Sequence, residues 1–443
     1  KISLSNNDSG SYNTVFGKLA GAALASGGDG NLFIGENAGN DVTTADYNIA
    51  IGYQAFSQAT DDCDKNIVIG VSAMSGNIGS NDVSECVAIG HEAMDGVLTS
   101  DATGTIGIGY QALTALTSGD KNIAIGYQAH QAQTTGARNT VIGYQAMYTA
   151  DAGEDYNTVI GSQAGYYINN DASHDNVIVG KNALQGGTGT ILGNVAVGTG
   201  AMESVSNNNQ TGTVAIGSSA LNALTSGAQN IAIGYQAGEQ VLAGTANILI
   251  GYLCGDEITS GSYNTAIGDN ALSNEDTGHQ STAVGVEALG RQASDASEDA
   301  DNTAVGMTAG KFNILGQDNT AVGSRSMRGV VDNNHSGNTA VGKDAMFAVT
   351  TGSYNTCIGE RAGDSITDGA QNVFIGSGAG TNDVNFTTGD SCVVIGHNAD
   401  TSGVDAQNQI AIGQDCSGQA NNSVTLGNAS VSAVYLASGN TGC

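Results

Sequence analysis

The chain has no proline and no tryptophan among its 443 residues, and only 12 lysines and arginines. Proline cannot donate to a backbone ladder, so its absence suits a chain in which almost every N–H is needed in one. Charged residues are also scarce, at 12% against the usual share of about 25%. The few basic residues face 42 acidic ones, giving a net charge of −30. A polyanionic surface repels phosphates, which argues against nucleic acid as a partner. No apolar run approaches about 18 residues, so neither a transmembrane helix nor membrane insertion is expected. The chain begins at Lys1 with no signal-peptide pattern and reads as a piece of something longer.

Glycine is abundant, with 66 residues and no collagen period. An apolar share of 40% is too high for a disordered tract, so a core is buried somewhere. Seven cysteines are an odd number, and none forms a CxxC pair. They fit neither a disulfide framework nor a zinc site, and read as small buried hydrophobes.

The glycines recur in one motif, clearest as Asn230-Ile231-Ala232-Ile233-Gly234-Tyr235-Gln236-Ala237-Gly238. Counted from Gly234 as position 0, the motif occurs 24 times between Gly17 and Gly427, most often every 17 residues and with insertions to 21. Position −1 is apolar in every copy, and Ile or Val in all but Phe16 and Leu426. Position −3 is Ile, Val or Thr in all but Leu32. Position −2 is mostly Ala or another apolar residue, and +3 is Ala in 20 copies. Asn occupies −4 in 17 copies. Stacked Asn amides bond to one another along an axis. The pair at +1 and +2, Tyr-Gln in several copies and charged in others, is expected to face water.

Seventeen residues are too few for a helical repeat, which needs about 33. The β-branched columns and the central glycine also disfavour helix. A repeat of this length fits one coil of a parallel β-solenoid, rising about 4.8 Å per coil. The fold expected is all-β: a parallel β-solenoid (β-roll) of about 24 coils of 17–21 residues. Residues 1–427 form one continuous repeat domain, and 428–443 an end segment leading to a module not present. Side chains alternate along a strand, so −1 and −3 share a face, expected to fill the coil. Position −2 then looks out and is expected to meet other copies, three chains around a shared axis. A wide single solenoid with −2 turned inside is the alternative.

The runs Asn-Thr-Ala-Val-Gly at 302–306, 319–323 and 338–342, and Asn-Ile-Ala-Ile-Gly-Tyr-Gln-Ala at 122–129 and 230–237, resemble two related repeat groups. One is the head repeat of trimeric autotransporter adhesins. The other is the repeat of phage and viral tail-fibre proteins. The resemblance implies a homotrimeric β-roll displayed on a virion or cell surface. The tail from Ser423 to Ala437 is similar to the segment that leads into a C-terminal module in such fibres. No functional residue carries over, because the matched motif is structural.

Candidate chemistry is sparse. The six histidines do not converge and read as exposed and idle. Acidic insertions offer oxygen ligands for Ca²⁺; the best cluster is Asp295, Glu298, Asp299 and Asp301, followed by Asp61, Asp62 and Asp64, with solvated loops as the plainer reading. No other cofactor is expected. A polysaccharide-active solenoid needs paired carboxylates in a groove. In the +1 column, however, Glu360 neighbours Lys343 rather than a second acid. Ranks of Thr at −3 suggest an ice-facing array, but their place beside −1 puts them inside. The chain is therefore expected to be no enzyme. It reads as a structural and adhesive fibre shaft on a virion, positioning or contributing to contact with a host receptor or glycan. The alternatives are a bacterial cell-surface adhesin or extracellular filament subunit and, last, the polysaccharide-active enzyme.

Overall fold

In a computed structural model, the structure describes residues 11–434 except 26, 79–80, 206, 295–298 and 331–332. The protein is all-β, a parallel β-solenoid of about 24 coils, and its one helical element is the short 3₁₀ turn Ser100–Ala102 among the described residues. Two compact units have the same construction, Lys1–Asn230 and Ile231–Cys443. In each, every coil contributes one three-residue strand at −3 to −1, such as Ile123–Ile125 or Ile248–Ile250. Strands of successive coils pair in parallel with the motif in register: Ile231 beside Ile248, Ala232 beside Leu249, Ile233 beside Ile250. A smaller pair, Ile191–Leu192 with Gln210–Thr211, forms on two neighbouring coils of the first unit.

The faces of the strand are the reverse of the expected ones. Position −2 is the buried one: Phe33, Ala50, Val141, Leu249 and Phe374 are all fully enclosed. Positions −1 and −3 lie on the outer surface, with Ile233 36% and Ile358 40% exposed. The −2 column therefore lies inside the coil and is not the face that could meet other chains. The reason is volume. The inside of the coil takes −2, the Ala at +3 and the residues at +4 and +7 or +8, together with the −4 column and turn residues such as Ala45 and Cys63.

Those inner positions compensate one another. Small −2 residues go with large +4 residues, as in Ala50 with Phe56, Ala196 with Met202 and Ala266 with Leu272, all buried. Large −2 residues go with glycine at +4. A Cβ on Gly39 would come within 2.7 Å of the Phe33 ring, one on Gly255 within 2.7 Å of Leu249, and one on Gly380 within 3.0 Å of Phe374. Each enclosed large side chain contributes roughly 1.5–3 kcal/mol of transfer free energy.

The glycine at 0 is required by close approach. Gly126 has φ +142°, and a Cβ there would overlap the carbonyl oxygen of Gly143 on the next coil. The corner then continues through left-handed residues at +2 and +4, such as Gln128 and His130, both with φ +52°. Inter-coil bonds hold this geometry: Gly126 N–H donates to Ile108 O and Gln128 N–H to Tyr110 O, each 2.8 Å.

The −4 asparagines form the expected ladder. The Asn139 backbone and side-chain amides both donate to Asn122 Oδ1, at 2.9 and 3.2 Å. Its Nδ2 also donates to Glu154 O at 2.6 Å. Asn157 repeats this on Asn139, and Asn176 on Asn157. All are buried, so the ladder satisfies donors and acceptors that water cannot reach.

Candidate functional site

The corner after the strand carries an exposed ordered array. Tyr at +1 stacks coil upon coil: His91 on Tyr110, Tyr110 on Tyr127 and Tyr127 on Tyr144, with centroids 5.4, 5.0 and 5.5 Å apart. Tyr235 and Tyr252 repeat the stack in the second unit. The spacing follows from the rise of the coil, which sets aromatic rings at offset-stacking distance. At +2 a glutamine ladder runs alongside, Gln145 donating to Gln128 and Gln128 to Gln111, at 2.9 and 3.0 Å. Gln111 ends it on Glu92 Oε2, 2.7 Å away. Stacked rings cover one another's faces, so this corner shows ring edges, hydroxyls and amides. Lys343 and Glu360 meet across coils in the +1 column at 3.6 Å, as an exposed ion pair.

Asp295 and Glu298 lie outside the described residues. Asp299 and Asp301 are both exposed, and Asp299 pairs with His279 in an isolated bridge. Asp61 accepts from the Thr43 hydroxyl and Asp64 from the backbone N–H of Asp46. That last bond belongs to a pattern legible only in three dimensions. At −6, a side-chain acceptor takes the N–H of the preceding coil: Asp29 N–H on Asp46, Ala137 N–H on Asp155 and Ala370 N–H on Asp390, at 2.6 to 2.8 Å. Many acidic residues are therefore braces between coils.

Among the described residues, one group of acids converges: Asp151, Glu154 and Asp171, with oxygens within 4.8 Å of one another. Glu154 is buried, and burial raises its pKa. Its two oxygens accept from Asn170 N–H and Ala152 N–H, at 2.9 and 3.1 Å. They are committed to the backbone. Glu275, also buried, accepts from Gly278 N–H, Ser294 N–H and the Gln292 amide. Neither is posed as a catalytic acid or base.

Two histidines depart from the exposed reading. His130 and His335 are buried, at the core position +4 and near the turn into the strand. Burial pushes their pKa values down to about 3 and about 4. Neither ring nitrogen of His130 makes a hydrogen bond of good geometry among the described residues, although the Gln133 side chain lies near enough to offset a little of the burial effect. His130 stands where neighbouring coils place Leu113 and Met147, and that column was the signal for its burial. The six described cysteines are free and buried. Burial pushes Cys254 up to about 12 and Cys63 and Cys86 up to about 11, which leaves them unreactive.

The outer strand face runs through each unit as a second continuous feature. Its −1 column is Ile or Val almost throughout, and −3 alternates between aliphatic stretches and Thr. Thr265, Thr282, Thr303, Thr320, Thr339 and Thr356 stand in register on successive coils, facing outward. No described helix is long and apolar enough to cross a membrane. No family model matches this chain, and no curated protein matches it either.

Proposed function

We propose that the protein is the shaft of a surface fibre, a virion tail fibre, in which three copies pack through the outer strand face and hold a receptor-binding part away from the particle. The observation that carries the reading is the double column of half-exposed Ile, Val and Thr on that face in each unit. Contiguous exposed apolar surface on this scale marks an interaction site. At roughly 40% exposure, a −1 Ile has about 0.6–1.2 kcal/mol of transfer free energy still to gain on full burial. The face repeats the same chemistry on every coil, so its natural complement is another copy of itself. The high negative charge, carried on the loops and the −6 braces, keeps the other sides soluble and apart.

The same reading covers a bacterial trimeric adhesin or extracellular filament. Flanking sequence separates the cases: a virion-attachment domain upstream supports the fibre, and a membrane-anchoring barrel downstream the adhesin. The test of the assembly is the mass in solution, with Ile233→Lys and Ile358→Lys as disrupting variants. Three associating chains, separated by the lysines, support the proposal; a soluble monomer ends it.

The Thr ranks favour one other use of this face. Six Thr beside Ile267, Val284, Val305, Val322, Val341 and Ile358 make an in-register, half-exposed array of hydroxyl and methyl groups at strand spacing. Such a face suits ordered water as in ice. Chain packing and ice contact cannot occupy it together, so thermal hysteresis from a monomer would favour the second use.

A further inference from the structure

In a chain with 12 basic residues, four gather on consecutive coils of the second unit: Arg291, Lys311, Arg325 and Arg328. They are organised by two aromatic rings. The Arg291 and Arg328 guanidinium carbons lie 5.5 and 5.0 Å from the Phe312 centroid, and Lys311 Nζ lies 5.4 Å from it. Arg328 and Arg325 lie 5.5 and 5.8 Å from the Phe347 centroid. Arg291, Phe312, Arg328 and Phe347 belong to four successive coils, so cation and ring alternate along the axis. They occupy +5 and +6, with Phe312 buried, Arg328 and Phe347 half-buried and Arg291 exposed.

Two of the four cations are neutralised. Lys311 pairs with Glu287 and Arg325 with Asp344, each at 2.7 Å. Among the described residues, no carboxylate lies at ion-pair distance from Arg291 or Arg328. Packing against a ring fixes the plane of a guanidinium and leaves its N–H edge free. Arg291 is exposed, and it borders a cleft of about 330 Å³ with Lys311, Glu287, Asn270, Ser273 and Asn274. That volume lies at the lower end of the range of ligand sites, about 300–1,000 Å³. The wall is almost wholly polar: one fork-shaped cation, one ammonium, two amides, a hydroxyl and a carboxylate.

We infer that this cleft binds an acidic sugar residue, its carboxylate held by the Arg291 guanidinium and its hydroxyls by Asn270, Asn274, Ser273 and the Lys311–Glu287 pair. A planar guanidinium accepts a carboxylate through two parallel bonds. Amides and hydroxyls supply the mixed donors and acceptors that sugar hydroxyls need. The scarcity of apolar wall disfavours ligands with large greasy parts. Dense polyanions such as nucleic acid are repelled by the surrounding charge, whereas one carboxylated sugar meets the Arg291 cation beside a lysine already balanced by Glu287. The site uses a different part of the coil from the strand face, so failure of the trimer reading leaves it untouched.

The test is calorimetric titration of the full chain with trigalacturonic acid, against the neutral galactotriose and inorganic sulfate. The expectation is saturable binding of the acid, at least tenfold weaker binding of the neutral trisaccharide, and a tenfold or greater loss with Arg291→Gln. Arg291→Lys should recover part of that loss. Asn274→Ala should weaken binding a few-fold, and Arg138→Gln, in the other unit, should leave it unchanged. An unaltered melting temperature shows that Arg291→Gln still folds. Equal binding of both trisaccharides, indifference to Arg291→Gln, sulfate binding as tight as the acid, or no saturable binding overturns the inference.

Discussion

Replacing Asn355 by Ala should damage the fold far more than its single side chain suggests. The Asn355 backbone N–H and Nδ2 donate to Asn338 Oδ1, at 2.8 and 3.2 Å. Nδ2 also donates to Gly369 O at 2.8 Å, and Oδ1 accepts both amides of Asn372 at 3.0 Å. The site is 1% exposed, so water does not replace what is lost. Asn355→Ala leaves the Asn372 N–H and the Gly369 carbonyl without partners. Each unsatisfied buried group costs about 1–3 kcal/mol, so the loss should be roughly 2–6 kcal/mol. Asn355→Thr should cost less. The chain itself uses Thr at this position, and Thr105 Oγ1 there accepts Asn122 N–H and donates to Gly119 O, both at 3.4 Å. Solenoid coils unfold in steps, so the assay should be local. Amide hydrogen exchange in Asn355→Ala should show protection lost at Asn372 and on the adjoining coils before distant ones. If Asn355→Ala costs under about 0.5 kcal/mol, or no more than the corner variant Ser377→Ala, the ladder is not a stabilising element and the reasoning is refuted.

Three other outcomes follow from the same geometry. Gly251 has φ +147° and no room before the Gly268 carbonyl, so Gly251→Ala should lower stability by at least about 2 kcal/mol, read as a drop in melting temperature. His130 is neutral when folded, with a pKa near 3 against 6.5 unfolded, so the unfolded chain binds the extra proton. Above about pH 6.5 its titration costs the fold nothing, and stability is lost progressively as pH falls from there towards about 3. His130→Met should therefore gain about 1–3 kcal/mol at pH 7 from removing unpaired nitrogens, and its advantage in denaturant midpoint should widen at pH 4–5; a constant difference would contradict this. Cys254, buried with its pKa near 12, should resist iodoacetamide at pH 8 in the folded protein and react once it is denatured.

Much of the architecture is legible in the sequence, because a repeat states each structural requirement many times. The strand at −3 to −1, the glycine at 0 and the asparagine ladder all follow from columns such as Ile231, Gly234 and Asn230. The orientation of the strand is not legible in its hydrophobicity, because both faces are apolar and hydrophobicity alone does not choose between them. Side-chain volume does choose. Ala at −2 and +3 fits a thin interior, and the exchange between Phe33 with Gly39 and Ala50 with Phe56 identifies −2 and +4 as facing partners. The same ambiguity hides the outward place of Thr303 and its neighbours. The −6 braces and the Arg291–Phe312–Arg328 stack were hidden for another reason. They join residues one coil apart whose separation varies with each insertion.

The central claim is that the outer strand face is where chains meet. Sedimentation equilibrium of the purified chain tests it most directly. The account predicts a particle of three times the 44.2 kDa chain mass, reverting towards one when lysine replaces Ile233 and Ile358. A stable particle of 44.2 kDa, soluble with that face in water, would contradict it.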